Sequence, residues 1–376
     1  MNIKVIAASL IALMMASTPF LCNLEEDMTL ADTNQNEIGN DQRIVLVCEN
    51  SSNISKSCPD EVKIQSSIES LNSNDIVIVD QTWIELDRDA ASRDLSSAIN
   101  DGNPVLFLQN PACELPFGTI QHPTAFAESA DIYGIRHDPQ TNTTYCYSGI
   151  NSDLEQAIVQ ACDWVNNPCS LQPSRIIDDP RDPVLYSLTK VQESFGTMTV
   201  ESKHTVYPIE VDETENRIDE ALVLTEYTLT ADPDTEDSIW DNWIAIADMR
   251  ISCNHLDSDL IAFAPDASTN ETEHKIVFEN ISGLPYTEWS YEVKEASTNI
   301  TQDGDYFEVW HDTDEKGSDK LSTKIMKPGS VSLATRGDNS FLYQETEQFS
   351  TQYYKDSIVV SDKYVTSECK LVVTIF

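Results

Sequence analysis

The sequence predicts a flavodoxin-like three-layer α/β domain followed by an all-β domain, either a β-sandwich or an open barrel. Three observations predict it. Short apolar runs alternate with helix-period segments before residue 168. A proline-rich stretch, 168–183 (PCSLQPSRIIDDPRDP), then interrupts both helix and ladder continuation. From about residue 185 the helical signal largely vanishes, and short β-prone runs separated by polar turns take over.

Each element has its own reason. RIVLVC (43–48), DIVIVD (75–80) and PVLFLQ (104–109) are continuous apolar runs, as expected of strands buried on both faces. Residues 60–71 place Val62, Ile64, Ile68 and Leu71 at mostly helical spacing, which predicts a helix there. Residues 88–100 and 153–166 predict two more helices, the second with Leu154, Ile158, Ala161 and Val165 on one side. Residues 131–136 and 143–148 read as shorter strands near an edge. In the second half, strands are expected over 196–208, 221–230, 243–253, 273–281, 287–295, 304–311, 329–335, 340–348, 356–361 and 366–376. Internal repeats are not evident.

The N-terminus points to export. Lys4 precedes the apolar run 5–16, and the small residues Ala16, Ser17 and Thr18 follow, the layout of a secretory signal. The expected organisation is therefore a signal peptide (1–22), an acidic leader (23–41), the α/β domain (42–167), a proline-rich linker (168–184) and the β-domain (185–376). No later run is apolar and long enough for a spanning helix, so no integral membrane segment is expected in the mature chain. The expected location is extracellular or on the cell surface.

Cysteine usage agrees. Beyond Cys22 lie Cys48, Cys58, Cys113, Cys146, Cys162, Cys169, Cys253 and Cys369, which read as disulfides in an oxidising compartment. A local pairing is expected: Cys48–Cys58, Cys113–Cys146, Cys162–Cys169 and Cys253–Cys369. No C-x-x-C pair occurs, which argues against a zinc–thiolate site. N-x-[ST] sequons at Asn50, Asn53, Asn142, Asn270, Asn280 and Asn299 are glycosylation candidates.

Lys and Arg total 23 against 64 Asp and Glu, a formal charge of −41. That excludes nucleic acid as a partner, because phosphate contacts need clustered cations. Such a surface suits a protein exported into brine, where screening shortens self-repulsion. The rival reading is an acidic protein of ordinary media, held together by disulfides and Ca²⁺.

Enzyme signatures are missing: no G-x-S-x-G, H-E-x-x-H, P-loop or G-x-G-x-x-G is present. One enzymatic reading is a hydrolase with Cys113 as nucleophile and His122 or His137 as base. Without a tight glycine turn at Cys113, a structural cystine is the preferred reading. Two acidic loops could supply the hard oxygens Ca²⁺ takes: Asp232, Asp234 and Glu236 in one, Asp312, Asp314 and Asp319 in the other. The rival is a solvated acidic surface. Trp240, Trp243, Trp289 and Trp310 sit beside acids and are candidate contacts for a sugar ring or a partner, against the alternative of sandwich core.

The expected function is therefore a non-enzymatic extracellular protein acting in binding, adhesion or assembly. Its partner would be a cell-surface component, a glycan or a second copy of itself. The stretches EYTLTADPDTEDSIWDNWIAIADMRIS (226–252) and MKPGSVSLATRGD (326–338) resemble leukocidin-type β-barrel toxins. That resemblance implies a soluble monomer that oligomerises into a pore. A membrane stem needs strands of about ten residues alternating apolar and polar. The nearest candidate, 273–296, is interrupted by Gly283 and Pro285 and carries many charges.

Overall fold

The computed structural model describes residues 43–47, 63–68, 71–72, 75–108, 124–127, 130–166, 181–192, 195–212, 217–233, 243–255, 258–293, 297–312, 322–335, 343–356 and 363–375. It opens with parallel strands. β1 (Ile44–Val47), β2 (Lys63–Gln65), β3 (Ile76–Asp80) and β4 (Val105–Leu108) lie side by side in the order β2-β1-β3-β4. The apolar runs of β1, β3 and β4 are buried throughout, because helices cover both faces. A short α1 (Gln81–Ile84) follows β3, and α2 (Arg88–Asn100) returns the chain to β4. The Asp87 side chain caps α2 by accepting from the Ala90 N–H, and Leu95, Ala98 and Ile99 are buried in the core cluster that also holds Val45 and Val77. On the opposite face α3 (Leu154–Asn166) buries Ile158, Ala161 and Val165 in the core cluster that also holds Ile44, Leu46 and Ile78.

The helix expected over 60–71 is not found in its described residues, 63–68 and 71, and the rest of that span lies outside them. Lys63–Gln65 is a strand, since the β1 edge offers this short segment ladder bonds that an isolated helix of that length lacks.

Nor is the flavodoxin-like domain found. After β4 come β5 (Thr124–Ala127), β6 (Ile132–Asp138) and β7 (Thr143–Ile150). β6 runs antiparallel to β4, and β7 antiparallel to β6. β5 leaves this sheet altogether and pairs with the last strand of the chain. The sheet then continues into β8 (Arg181–Gln192), β9 (Gly196–Asp212) and β10 (Arg217–Pro233), with β7 and β8 parallel and the rest antiparallel. The parallel patch is thus one end of a mainly antiparallel sheet. Continuous apolar runs reveal burial on two faces but not the direction of the neighbouring strand, which is why the sequence misleads here.

The remaining strands are β11 (Trp243–His255), β12 (Ser258–Ala264), β13 (Glu273–Phe278), β14 (Thr287–Glu292), β15 (Ser297–Asp303), β16 (Tyr306–Asp312), β17 (Lys324–Met326), β18 (Gly329–Thr335), β19 (Tyr343–Asp356) and β20 (Lys363–Ile375). The first sheet has 12 strands, ordered β12-β18-β10-β9-β8-β7-β6-β4-β3-β1-β2, with β17 also on β10. A second, 6-stranded sheet has the order β15-β16-β11-β19-β20-β5 and is antiparallel throughout. Among the described residues β13 and β14 pair only with each other.

The two large sheets share a core in which Tyr227 of β10 lies 6.3 Å from Phe307 of β16 and 6.2 Å from Phe349 of β19, centroid to centroid. Phe263 of β12 stacks on Phe307 at 5.2 Å. A polar seam crosses the same interior. His204 of β9 contacts Ser202 at 3.0 Å and Thr225 at 3.2 Å, and its Nε2 lies 3.7 Å from the buried Glu347 carboxylate of β19.

Candidate functional site

The β13–β14 hairpin is the part of the fold set apart from the two large sheets. Its ladder runs from Glu273↔Glu292 to Phe278↔Thr287, and its connection contains Gly283, at φ 90°, and Pro285. The residues that interrupt the apolar pattern are therefore the hairpin loop, where a positive φ favours glycine. The charges also fall into place. His274, Ile276, Phe278, Trp289 and Tyr291 turn inward, whereas Glu273, Lys275, Glu288, Ser290 and Glu292 are exposed. Period-two alternation thus gives the hairpin one apolar and one charged face. On the charged face the Lys275 ammonium and the Glu288 carboxylate pair at 2.8 Å. The Tyr286 hydroxyl donates to the same carboxylate. Salt bridge and hydrogen bond both hold the Glu288 carboxyl below its usual range.

Side chains hold the apolar face down, and they reach both sheets. Trp289 Nε1 donates to the Lys327 carbonyl at 2.7 Å, next to β18 of the 12-stranded sheet. Its ring lies over Gly329, where an added Cβ would come within 2.6 Å of Trp289 Cζ2 and Cη2. Glycine is required there for close approach. Phe278 packs beside the same indole at 5.8 Å.

At the other end the seat is polar. Tyr291 Oη lies 2.8 Å from His311 Nε2, on β16 of the 6-stranded sheet. His311 Nδ1 lies 2.8 Å from Thr298 Oγ1 on β15, and that hydroxyl lies 3.2 Å from His274 Nε2. The two imidazoles are 4.9 Å apart, and the His274 ring stacks on Tyr291 at 4.9 Å. All four side chains are buried. Burial pushes both imidazoles below their usual value, His311 to about 3 with the adjacent His274 adding to the effect. An open groove of about 1240 Å³, lined by residues from Ala262 to Phe278, reaches this end through Glu271 and His274.

No family model and no curated protein matches the chain. Among solved structures, Clostridium perfringens delta-toxin aligns over 51% of this chain and 93% of its own, with 9% identity and a TM-score of 0.30. A second, described as a pore forming protein, aligns over 50% and 90%, with 9% identity and a TM-score of 0.31. These are weak likenesses to proteins of the pore-forming kind, and at such scores they carry no argument about what this chain does.

The residues singled out from the sequence fall in several places. Trp289 is half-buried in the hairpin seat. Trp310, also half-buried, lies under the Arg250 guanidinium at 4.8 Å. Trp243 begins β11, and Trp240 lies outside the described residues. Of the acidic candidates, Asp232 is exposed and accepts from Thr323 Oγ1 at 2.6 Å, and Asp312 ends β16. Asp234, Glu236, Asp314 and Asp319 lie outside the described residues, and among those described no group of three or more metal-ligating side chains converges.

The disulfide framework needs correction. Cys146 and Cys162 are buried thiols, not halves of Cys113–Cys146 and Cys162–Cys169. Both sit on apolar faces, where burial pushes each thiol up to about 12. No disulfide is present among the described residues, and Cys253 Sγ lies instead 3.7 Å from His255 Nε2. Cys369 is on β20, while Cys48, Cys58, Cys113 and Cys169 lie outside the described residues, as does His122. Asn142, Asn270, Asn280 and Asn299 are exposed; Asn50 and Asn53 are outside. His137 Nδ1 lies 3.4 Å from Thr144 Oγ1.

His274, Tyr291, Thr298 and His311 were missed as a group. Scattered histidines carry no spacing signal, and only strand register joins His274 to Tyr291 and Thr298 to His311.

Proposed function

We propose that the protein is an exported, non-enzymatic protein that acts on membranes through self-association. The β13–β14 hairpin is the segment that leaves its seat and enters the bilayer as β-structure. The observation that carries this reading is the hairpin itself. Among the described residues its backbone is bonded to neither large sheet, and its two faces divide into a mainly apolar one and a mainly charged one, with Val277 the apolar exception on the charged face. A barrel strand in a membrane needs that alternation, lipid on one side and water on the other. Six paired residues a side are fewer than the roughly nine to eleven of a tilted membrane strand, so flanking residues must join the ladder. The Val293 N–H already donates to the Thr272 carbonyl at 2.9 Å, one step beyond the paired hairpin. Among the described residues no helix is long and apolar enough to cross a membrane.

The test is leakage of a dye from neutral-lipid vesicles, recorded together with particle size. Leakage with a discrete oligomer is expected. A folded monomer that releases no dye at either pH 7.5 or pH 5 would overturn the reading in favour of an extracellular binding protein.

A further inference from the structure

We propose that His274 and His311 form an acid-operated latch on the β13–β14 hairpin. As neutral imidazoles they hold the hairpin on the 6-stranded sheet, and a proton added in mild acid releases it. The latch rests on β13–β14 being the moving segment.

The hydrogen-bond inventory is the reason. Three contacts join four side chains in a row: Tyr291 to His311, His311 to Thr298, and Thr298 to His274. With both rings neutral, one hydrogen fills each contact. In one arrangement Tyr291 donates to His311 Nε2, His311 Nδ1–H donates to Thr298 Oγ1, and Thr298 donates to His274 Nε2. A further proton on His311 makes both its nitrogens donors. Tyr291 must then accept, and its own hydroxyl hydrogen has no acceptor among the four side chains. A proton on His274 Nε2 likewise sends two donors to Thr298 Oγ1. Either cation is also buried beside a second imidazole 4.9 Å away.

The charged surroundings do little to offset this. Glu271, exposed on the segment before β13, raises the His274 value and opposes the burial that lowers it. Glu273, Lys275 and Glu292 occupy the outer face of the hairpin. On β16 and β11, Asp312, Asp248 and Arg250 occupy positions alternate to His311 and to its cross-strand partner Met249, on the other face of the sheet. On β15 the neighbours of Thr298 are Ser297 and Asn299, both uncharged. The next strand, β19, presents Thr351 opposite Met249.

The direction follows from linkage. Docked, both rings are held below their ordinary value; released, they return to about 6.5. The docked state therefore keeps its full advantage above about pH 6.5 and loses it as pH falls. Each histidine favours release by up to about tenfold per pH unit in that range. The second anchor, Trp289 on the Lys327 carbonyl, does not titrate.

The experiment is hydrogen exchange of the full chain without lipid, between pH 7.5 and 5, corrected for intrinsic exchange. Peptides covering 273–293 should lose protection on acidification, while those from β9 and β10 keep theirs. The double variant His274→Gln, His311→Gln should lose the pH dependence. Constant protection of 273–293, or unchanged pH dependence in the variant, would overturn the latch. If the variant does not fold, ring-carbon NMR of the wild-type histidines decides. Rings that stay neutral until the amides open support the latch, and rings that titrate near 6.5 in a protected hairpin overturn it. Vesicle leakage at the same pH values separates the two proposals. Acid release without leakage keeps the latch and removes the membrane role. Leakage independent of pH keeps the role and removes the latch.

Discussion

Tyr291 Oη meets His311 Nε2 at 2.8 Å across the junction between the hairpin and the 6-stranded sheet. Tyr291→Phe keeps the ring that stacks on His274 and removes the contact. The hairpin should lose about 1–3 kcal/mol of docking, because His311 Nε2 is left buried without its partner. Hydrogen exchange of residues 273–293 at pH 7.5 reads the loss directly. Unaltered protection would mean that the polar end of the seat contributes nothing.

Gly329→Ala tests the other end. The added methyl would meet the Trp289 indole at 2.6 Å and Phe278 at 3.1 Å, so the ring must move off β18. Overpacking of this kind costs about 1–3 kcal/mol. The expected result is a lower melting temperature and greater exchange in the hairpin, with exchange in β1, β3 and β4 unchanged.

Arg43 and Asp75 clamp the start of β1 to the segment that leads into β3, with contacts at 3.0 and 2.6 Å. Burial pushes the Asp75 carboxyl up, but the Arg43 guanidinium and the Asn72 N–H outweigh it and hold the value below normal. Arg43→Ala leaves the buried Asp75 carboxylate with the Asn72 N–H but without its cation, and because Arg43 is part-exposed the cost in urea unfolding should be about 1–2 kcal/mol. Because the folded value is the lower one, this stabilisation is present above about pH 4 and fades as pH falls further. The difference between wild type and variant should therefore shrink below pH 4.

Cys146 and Cys162 are thiols with values pushed up to about 12 by burial. In the folded protein at pH 8 neither should react with a maleimide, and both should react after unfolding. Peptide mapping that finds either one in a cystine would contradict the fold described.

Much of the local structure is legible in the sequence. IVLV, IVIVD and VLFL are strands because continuous apolar runs need two covered faces, and 88–100 is a helix capped by Asp87. Residues 63–65 were misread because so short a segment takes its conformation from the strand beside it. In the 273–296 segment the expected strands form, and what the sequence pattern hides is how their side chains divide between faces. Its Gly283 and Pro285 read as breaks and its charges as disqualifying. Register shows the breaks to be a loop and the charges to share one face.

By itself the sequence determined which segments are apolar on one face or two, the likeness to an exported chain, and the acidic surface. Those properties depend on neighbours along the chain, which periodicity records. Tertiary structure alone decided strand direction, the departure of β5 to β20, the thiols at Cys146 and Cys162, and the meeting of His274, Tyr291, Thr298 and His311. Each of these depends on which distant strands pair and in what register, and pairing energy is shared between segments that no local pattern connects.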